Sequence, residues 1–182
     1  MNVQQFHREH MAEIRDRIAE HGYTSQFVLG EDEWPSWGYT IGLLDKGHPE
    51  AVIVGLDPGS VERIFRDLHD LISSGSAPAV GREHVHELGG IRCALVPVPV
   101  GYWIDPSSLL LGAIDYLGET GALRPENLAA VQAIWADDAD VLPWEDGYDT
   151  SMLRFQKVLE VERPPWNPGG DHGSGPRRRC LR

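Results

Sequence analysis

Three clusters of side chains carry the chemistry this sequence could perform. The first lies in WGYTIGLLDKGHPEAVIVGLD, Trp37 to Asp57, where two apolar runs flank a connector holding Lys46, His48 and Glu50. Gly47 and Pro49 flank His48, and proline restricts the backbone on its own side, which fixes the direction in which His48 and Glu50 leave the chain. An imidazole and a carboxylate two residues apart suit a general base with its orienter, or a pair of metal ligands. A tight hairpin loop with solvated polar residues has the same letters. Gly42 and Gly55, one in each apolar run, point to close approach by another backbone, a packed helix or a ligand.

The second cluster is EHVHE, in which His84 and His86 flank Val85. On a strand both rings leave from one face, a spacing that suits two ligands of one metal ion, with His48 or Glu50 as the candidate third. Two surface histidines are the plainer alternative. The third cluster, WADDADVLPWEDGYD, brings Asp137, Asp138, Asp140, Glu145, Asp146 and Asp149 into a short segment with Trp135, Trp144 and Tyr148 between them. The ligand order of an EF-hand is missing, but carboxylates beside aromatic faces suit a cationic ligand. A solvated loop anchored by its tryptophans is the alternative. Nucleophile chemistry has little support: the chain contains no G-x-S-x-G elbow, C-x-x-C pair, P-loop or G-x-G-x-x-G. Cys93 alternates with Ile91 and Leu95 and is expected to be a packed, inert thiol.

The elements that must position these residues are read from periodicity. Val3, Phe6, His7, Met11, Ile14 and Ile18 recur at helical steps and predict a helix that docks its stripe on the core and ends at Gly22. TSQFVLG reads as a short strand. Tyr39, Ile41 and Leu43 share one face of the next strand and Val52, Val54 and Leu56 one face of another, joined as a hairpin. Asp57 and Pro58 signal a helix start, continued by Val61, Ile64, Phe65, Leu68, Leu71 and Ile72. HVHEL and IRCALVPVPV read as strands, with Pro97 and Pro99 pushing the latter's end toward a sheet edge. Asp105 and Pro106 repeat the cap-and-proline signal before a helix that runs through Leu109, Leu110, Ala113, Ile114 and Leu117 to Gly118. LAAVQAIWADDAD fits helix and strand alike, and strand is preferred.

Composition narrows the setting. With 182 residues, 41% of them hydrophobic, the chain suits one well-buried core. The net charge of −12 argues against a nucleic-acid partner, because phosphate neutralisation needs clustered Lys and Arg. Two cysteines make no disulfide framework, so a reducing cytoplasm is expected. MNVQQFHREHMAEIRDR is charged and amphipathic rather than a basic stub followed by an apolar run, so neither export nor membrane anchoring is expected from it. From Pro164 onward, PPWNPGGDHGSGPRRRCLR has too few aliphatic side chains to order itself and is expected to be a disordered tail. Without that tail, residues 1–163 carry 12 bases and 27 acids.

Three pieces together, YTIGL followed by GHPEAVIVGL, the strand VPVPVGYW, and VQAIWADDADVLPWEDGY, resemble a bacterial family called domain of unknown function 4262. The resemblance covers roughly residues 23 to 160. It picks out Tyr39, Thr40, Gly42, His48, Pro49, Glu50, Gly55, Gln132, Trp135, Asp137, Pro143, Trp144 and Glu145 as positions of the family pattern. Ala136 stands where the family usually has proline, Leu142 where an aromatic is common, and RFQKVLE replaces a glutamine-proline ending.

The resulting expectation is one α+β domain over residues 23–163, a mostly antiparallel sheet covered by about three helices, with residues 1–22 as a helix packed on it and residues 164–182 as tail. The resemblance favours a site at His48 and Glu50, with Tyr39 and Thr40 beside them and Trp135, Asp137, Trp144 and Glu145 on the other wall of the same cleft. Such a site would bind a small polar or cationic ligand, or a protein or peptide partner, in a cytosolic accessory protein. The alternatives are a metal-assisted or histidine-based hydrolase using His48 and Glu50 with His84 and His86, and an acidic interaction module. No motif names a cofactor, and the oligomeric state is left open.

Overall fold

The computed structural model describes residues 2–31, 34–104, 108–124, 126 and 128–159. Strands β1 (Thr24–Val28), β2 (Trp37–Ile41) and β3 (Glu50–Val54) form an antiparallel meander, with Gln26 opposite Tyr39 and Tyr39 opposite Val52. Strands β4 (Val85–Leu88) and β5 (Ile91–Pro97) form a hairpin through Gly89 and Gly90, both at the positive φ that the tightest hairpin turns require. Strand β6 (Ala130–Trp135) lies between the two groups, antiparallel to β5 and parallel to β3. The sheet order is therefore β1-β2-β3-β6-β5-β4, with four of its five pairings antiparallel. The expected antiparallel character holds except at the β3–β6 pairing. β5 is an interior strand, but Val96 and Pro97 extend past its last pairing with β4, so proline costs no ladder bond on that side.

Alternating side chains feed two cores, one on each face. Helices α1 (Val3–His21) and α4 (Leu111–Thr120), with the one-turn α3 (Gly101–Ile104), cover Trp37, Tyr39, Ile41, Val52 and Val54. Helix α2 (Pro58–Ser73) covers the opposite face, where Ile64, Phe65 and Leu68 meet Ala51, Ile53, Cys93 and Leu95. Each of those three α2 side chains is fully buried, contributing roughly 2 kcal/mol by transfer from water. Asp57 caps α2 by accepting from the Ser60 N–H, with Pro58 in the first turn, as the sequence predicts. The ambiguous segment is strand: Val131, Ala133 and Trp135 lie on the α2 side. No helix of the described residues is long and apolar enough to cross a membrane.

Several expectations need correction. The α1 stripe docks only through Met11, Ile14 and Ile18, whereas Val3 is 83% and Phe6 57% exposed, so the first turns of the helix carry apolar letters without joining the core. Leu43 and Leu56 do not share the face of their strand neighbours. Gly42 and Gly55, with φ of 106° and 87°, end the alternation and turn both leucines toward the α2 core. A Cβ at Gly55 would sit 2.2 Å from the Phe155 carbonyl oxygen, so close backbone approach explains that glycine, while Ile18 of α1 packs against Gly42. Helix α4 passes through Gly118 and ends at Gly121, whose φ of 72° forms the C-cap. Asp105, Pro106 and the tail beyond Leu159 lie outside the described residues.

Candidate functional site

The β2–β3 connector is a short 3-10 turn over Leu44–Lys46, closed by Gly47 at φ 75°. Leu43 holds it from one side, its carbonyl accepting from the N–H groups of Lys46 (2.9 Å) and His48 (3.1 Å). Glu50 holds it from the other. One carboxylate oxygen accepts from the Thr40 hydroxyl at 2.6 Å, and the second accepts from the Gly42 N–H at 2.7 Å and the Leu44 N–H at 3.3 Å. Thr40 in turn accepts from the Ala51 N–H at 2.8 Å. Glu50 is 2% exposed. Burial raises its pKa above the usual glutamate range, and the Thr40, Gly42 and Leu44 donors oppose that rise. This carboxylate closes a hairpin end by gathering donors that the antiparallel ladder leaves over.

His48 is arranged differently. Its Nδ1 lies 2.7 Å from the Pro49 carbonyl oxygen, which can only accept, so Nδ1 carries the proton and Nε2 of the neutral ring is an unprotonated acceptor. That Nε2 is buried and has no hydrogen-bond partner among the described residues. Burial lowers the imidazole pKa, and the bond to Pro49 opposes the shift. Glu50 does not orient His48; the adjacent carbonyl does. Beside the connector, the Tyr116 hydroxyl donates to Asp45 at 2.6 Å. Its pKa rises first through burial and then through Asp45.

Tyr39 and Thr40 leave β2 on opposite sides. The Tyr39 hydroxyl donates to Gln26 Oε1 and accepts from the Gly112 N–H at 3.0 Å, while Gln26 Nε2 reaches His10 at 2.7 Å. Tyr39 therefore braces α1, β1 and α4 against one another.

The remaining expected residues lie at the other end of β6. Glu50 pairs with Ala130 at the start of that strand and Trp135 ends it, which separates them by about 16 Å at a strand's rise per residue. There the Trp135 indole donates to the Val54 carbonyl at 2.9 Å. Gln156 clamps the Trp135 backbone, accepting from its N–H at 2.6 Å and donating to its carbonyl at 2.8 Å. Asp137 accepts from the N–H groups of Asp149 (2.7 Å), Val141 (3.0 Å) and Ala139 (3.0 Å), and its pKa is lowered, chiefly by the Asp149 bond. Glu145 takes Arg92 as a two-bond pair at 2.6 and 2.7 Å and also accepts from the Leu142 N–H, which holds its pKa down at about 2. Trp144 lies under the Arg82 guanidinium at 5.0 Å. These side chains fold a loop, and the single cleft expected to join them with His48 and Glu50 does not form.

His84 and His86 are farther still. β4 is separated from β3 by β5 and β6, so neither His48 nor Glu50 can complete a metal site with them. His84 precedes the strand and faces Glu83 at 3.5 Å, while His86 reaches the Ala79 carbonyl at 2.8 Å. Among the described residues no group of three or more His, Cys, Asp or Glu side chains is placed to hold a metal ion. Two open concavities occur elsewhere. One of about 420 Å³ is lined in part by His86, Arg92 and Asp140. Another of about 470 Å³ is lined in part by Trp34, Arg154 and Phe155.

Sequence reasoning missed Arg92, Gln156 and Gln26, whose side chains complete these networks. Periodicity carries no signal for them, since each acts through a side-chain amide or guanidinium that meets a residue distant in the chain.

Fold and connector together define an α+β protein with a mixed six-stranded sheet, helices on both faces, and a hairpin end closed by a buried carboxylate. The family described as Domain of unknown function (DUF4262) matches residues 17–149, most of the chain, and this protein belongs to it. No curated protein and no solved structure matches.

Proposed function

We propose that this is a cytosolic accessory protein that binds a small polar ligand against the imidazole of His48. The observation that carries the reading is the His48 Nε2 lone pair, buried without a partner among the described residues; the Nδ1 bond to Pro49 fixes the tautomer, and burial favours the neutral ring. A buried acceptor with no donor is costly, and such costs are commonly kept where a ligand supplies the missing bond. A cytosolic setting is supported by Cys93, an unpaired thiol in the core.

The test is a thermal-shift screen of polar metabolites and fragments on the full chain beside His48→Leu. Removing an unsatisfied acceptor should leave the unliganded variant melting at or above the wild-type temperature, while ligands that raise the wild-type Tm lose their effect on it. Ligands that shift both proteins equally overturn the reading.

The same Nε2 favours a second reading, a hydrolase with His48 as general base, since an unprotonated nitrogen is the form a base requires. Turnover of an ester or amide panel that disappears in His48→Leu selects the enzyme; saturable binding without turnover selects the accessory protein.

A further inference from the structure

The larger of the two open concavities, about 470 Å³, falls within the roughly 300–1,000 Å³ of small-molecule sites. Its walls come from two segments that a single residue next to the sheet holds together. On one side is the loop after β1, where the Gly30 N–H donates to Ser36 Oγ at 2.9 Å and the Trp34 N–H donates to the Glu31 carbonyl at 2.6 Å. On the other are Arg154 and Phe155, at the end of the 3-10 turn Thr150–Arg154. Gly55, which follows β3, donates its N–H to the Ser36 carbonyl at 2.8 Å, and its missing Cβ admits the Phe155 carbonyl. The two walls are thus fixed by backbone contacts. The concavity lies at the end of β3 opposite the His48 connector and shares no residue with it.

The lining is aromatic and carries both signs of charge. The Arg154 guanidinium lies 4.4 Å over the Phe155 ring, and Lys157 Nζ lies 4.3 Å over the Trp34 ring. Phe155 is 43% exposed, which leaves apolar surface at the site. The Arg154 N–H donors meet no acceptor among the described residues, and the Glu31 carboxylate meets no donor there. Arg154 and Glu31 line the same concavity without forming an ion pair with each other, so two opposite charges stand around one space across a gap.

We infer that this concavity binds the zwitterionic form of a free amino acid with an aromatic side chain. The carboxylate pairs with Arg154, whose fork of donors matches it, the ammonium pairs with Glu31, and the ring lies against Trp34 and Phe155. A simple anion meets Glu31 as a like charge, and a simple cation meets Arg154 and Lys157 in the same way. A molecule with both charges a few bonds apart satisfies both sides. Because the site is open, each pairing stays in contact with water and contributes modestly.

The test is an NMR titration of the isotope-labelled full chain with L-phenylalanine, following the Trp34 indole signal, which is assigned by its loss in Trp34→Phe. Two half-ligands serve beside it: 3-phenylpropionate, which lacks the ammonium, and phenethylamine, which lacks the carboxylate. The signal is expected to move along a saturating curve with L-phenylalanine. Each half-ligand should bind at least about fivefold more weakly, the worth of one partly exposed charge pair. Arg154→Gln should weaken L-phenylalanine and 3-phenylpropionate by a similar factor without weakening phenethylamine. Glu31→Gln should weaken L-phenylalanine and phenethylamine without weakening 3-phenylpropionate. Both positions are exposed, so the circular dichroism spectrum should not change. A Trp34 signal that stays fixed, a half-ligand that binds as tightly as L-phenylalanine, or equal binding by wild type and either glutamine variant overturns the inference. None of these results bears on His48, whose variant is read separately by thermal shift.

Discussion

Replacing Glu50 by alanine removes the acceptor for three donors at once: the Thr40 hydroxyl, the Gly42 N–H and the Leu44 N–H. The three losses are unequal. The Gly42 N–H is held at 2.7 Å in a buried setting, so losing its acceptor carries the cost of an unsatisfied buried donor. The Leu44 bond is long at 3.3 Å and belongs to a half-buried residue, and the Thr40 hydroxyl can rotate. Relief from carboxylate burial offsets part of the loss. The sum is a destabilisation of about 3 kcal/mol for Glu50→Ala, from an unsatisfied buried donor at roughly 1–3 kcal/mol and lesser contributions from the other two. Glu50→Gln keeps an oxygen for Gly42 and Leu44 and should stay within about 1 kcal/mol of wild type.

The pH dependence separates the two variants further. The folded-state pKa of Glu50 is raised by burial, so between the ordinary glutamate value and that raised value the folded protein holds more protons than the unfolded chain. Its contribution to stability falls as pH rises through that window and is constant above it. The stability of Glu50→Gln relative to wild type should therefore increase from acidic to mildly alkaline buffer. Urea denaturation of the three proteins across that range measures both effects. A Glu50→Ala midpoint equal to wild type, or a Glu50→Gln loss as large as that of alanine, refutes the assignment of Glu50 as the hairpin's acceptor.

Three further outcomes follow from the geometry. Tyr39→Phe leaves the Gly112 N–H and Gln26 Oε1 without their shared hydroxyl and should cost about 2 kcal/mol in urea denaturation. Gly55→Ala forces a side chain onto a φ of 87° and into the Phe155 carbonyl; a loss of about 3 kcal/mol or failure to accumulate folded protein is expected, from strain and overlap together. Cys93, whose thiol pKa is pushed up to about 12 by burial, should resist a thiol-specific reagent in the native Cys180→Ser protein and react only on unfolding, followed by absorbance.

Much of the fold is visible in the letters because burial writes itself as periodicity. The β2 and β3 strands and the body of α2 follow from side chains that alternate or recur toward a core, the start of α2 from the Asp57–Pro58 capping signal, while periodicity alone left β6 open between helix and strand. Leu43 and Leu56 escape that logic because a single glycine at positive φ reverses the face of the next residue, and the residue type does not record which φ is adopted. The site was harder to read for another reason. Asp137 and Glu145 have the letters of ligand-binding carboxylates, yet Asp137 meets backbone N–H groups, which any residue but proline supplies, and Glu145 adds one such group to its pairing with Arg92. Glu50 is the same case within the connector. His48 remains legible as a candidate only through its two neighbours, Gly47 and Pro49, while its Nε2 is recognised as unpartnered only when the surroundings are known.

The parallel contact between β3 and β6 has a kinetic side. It spans three residue pairs, from Glu50 opposite Ala130 to Val52 opposite Gln132, and it alone in the sheet joins the β1–β2–β3 meander to the strands that follow α2. The meander and the β4–β5 hairpin close over short loops and can assemble early, whereas this seam joins segments far apart in sequence and must await a costly loop closure. His48 and Glu50 sit at one end of the seam. Their surroundings should therefore be completed late in folding, so that truncated or misassembled chains with much of their secondary structure intact lack the His48 position altogether.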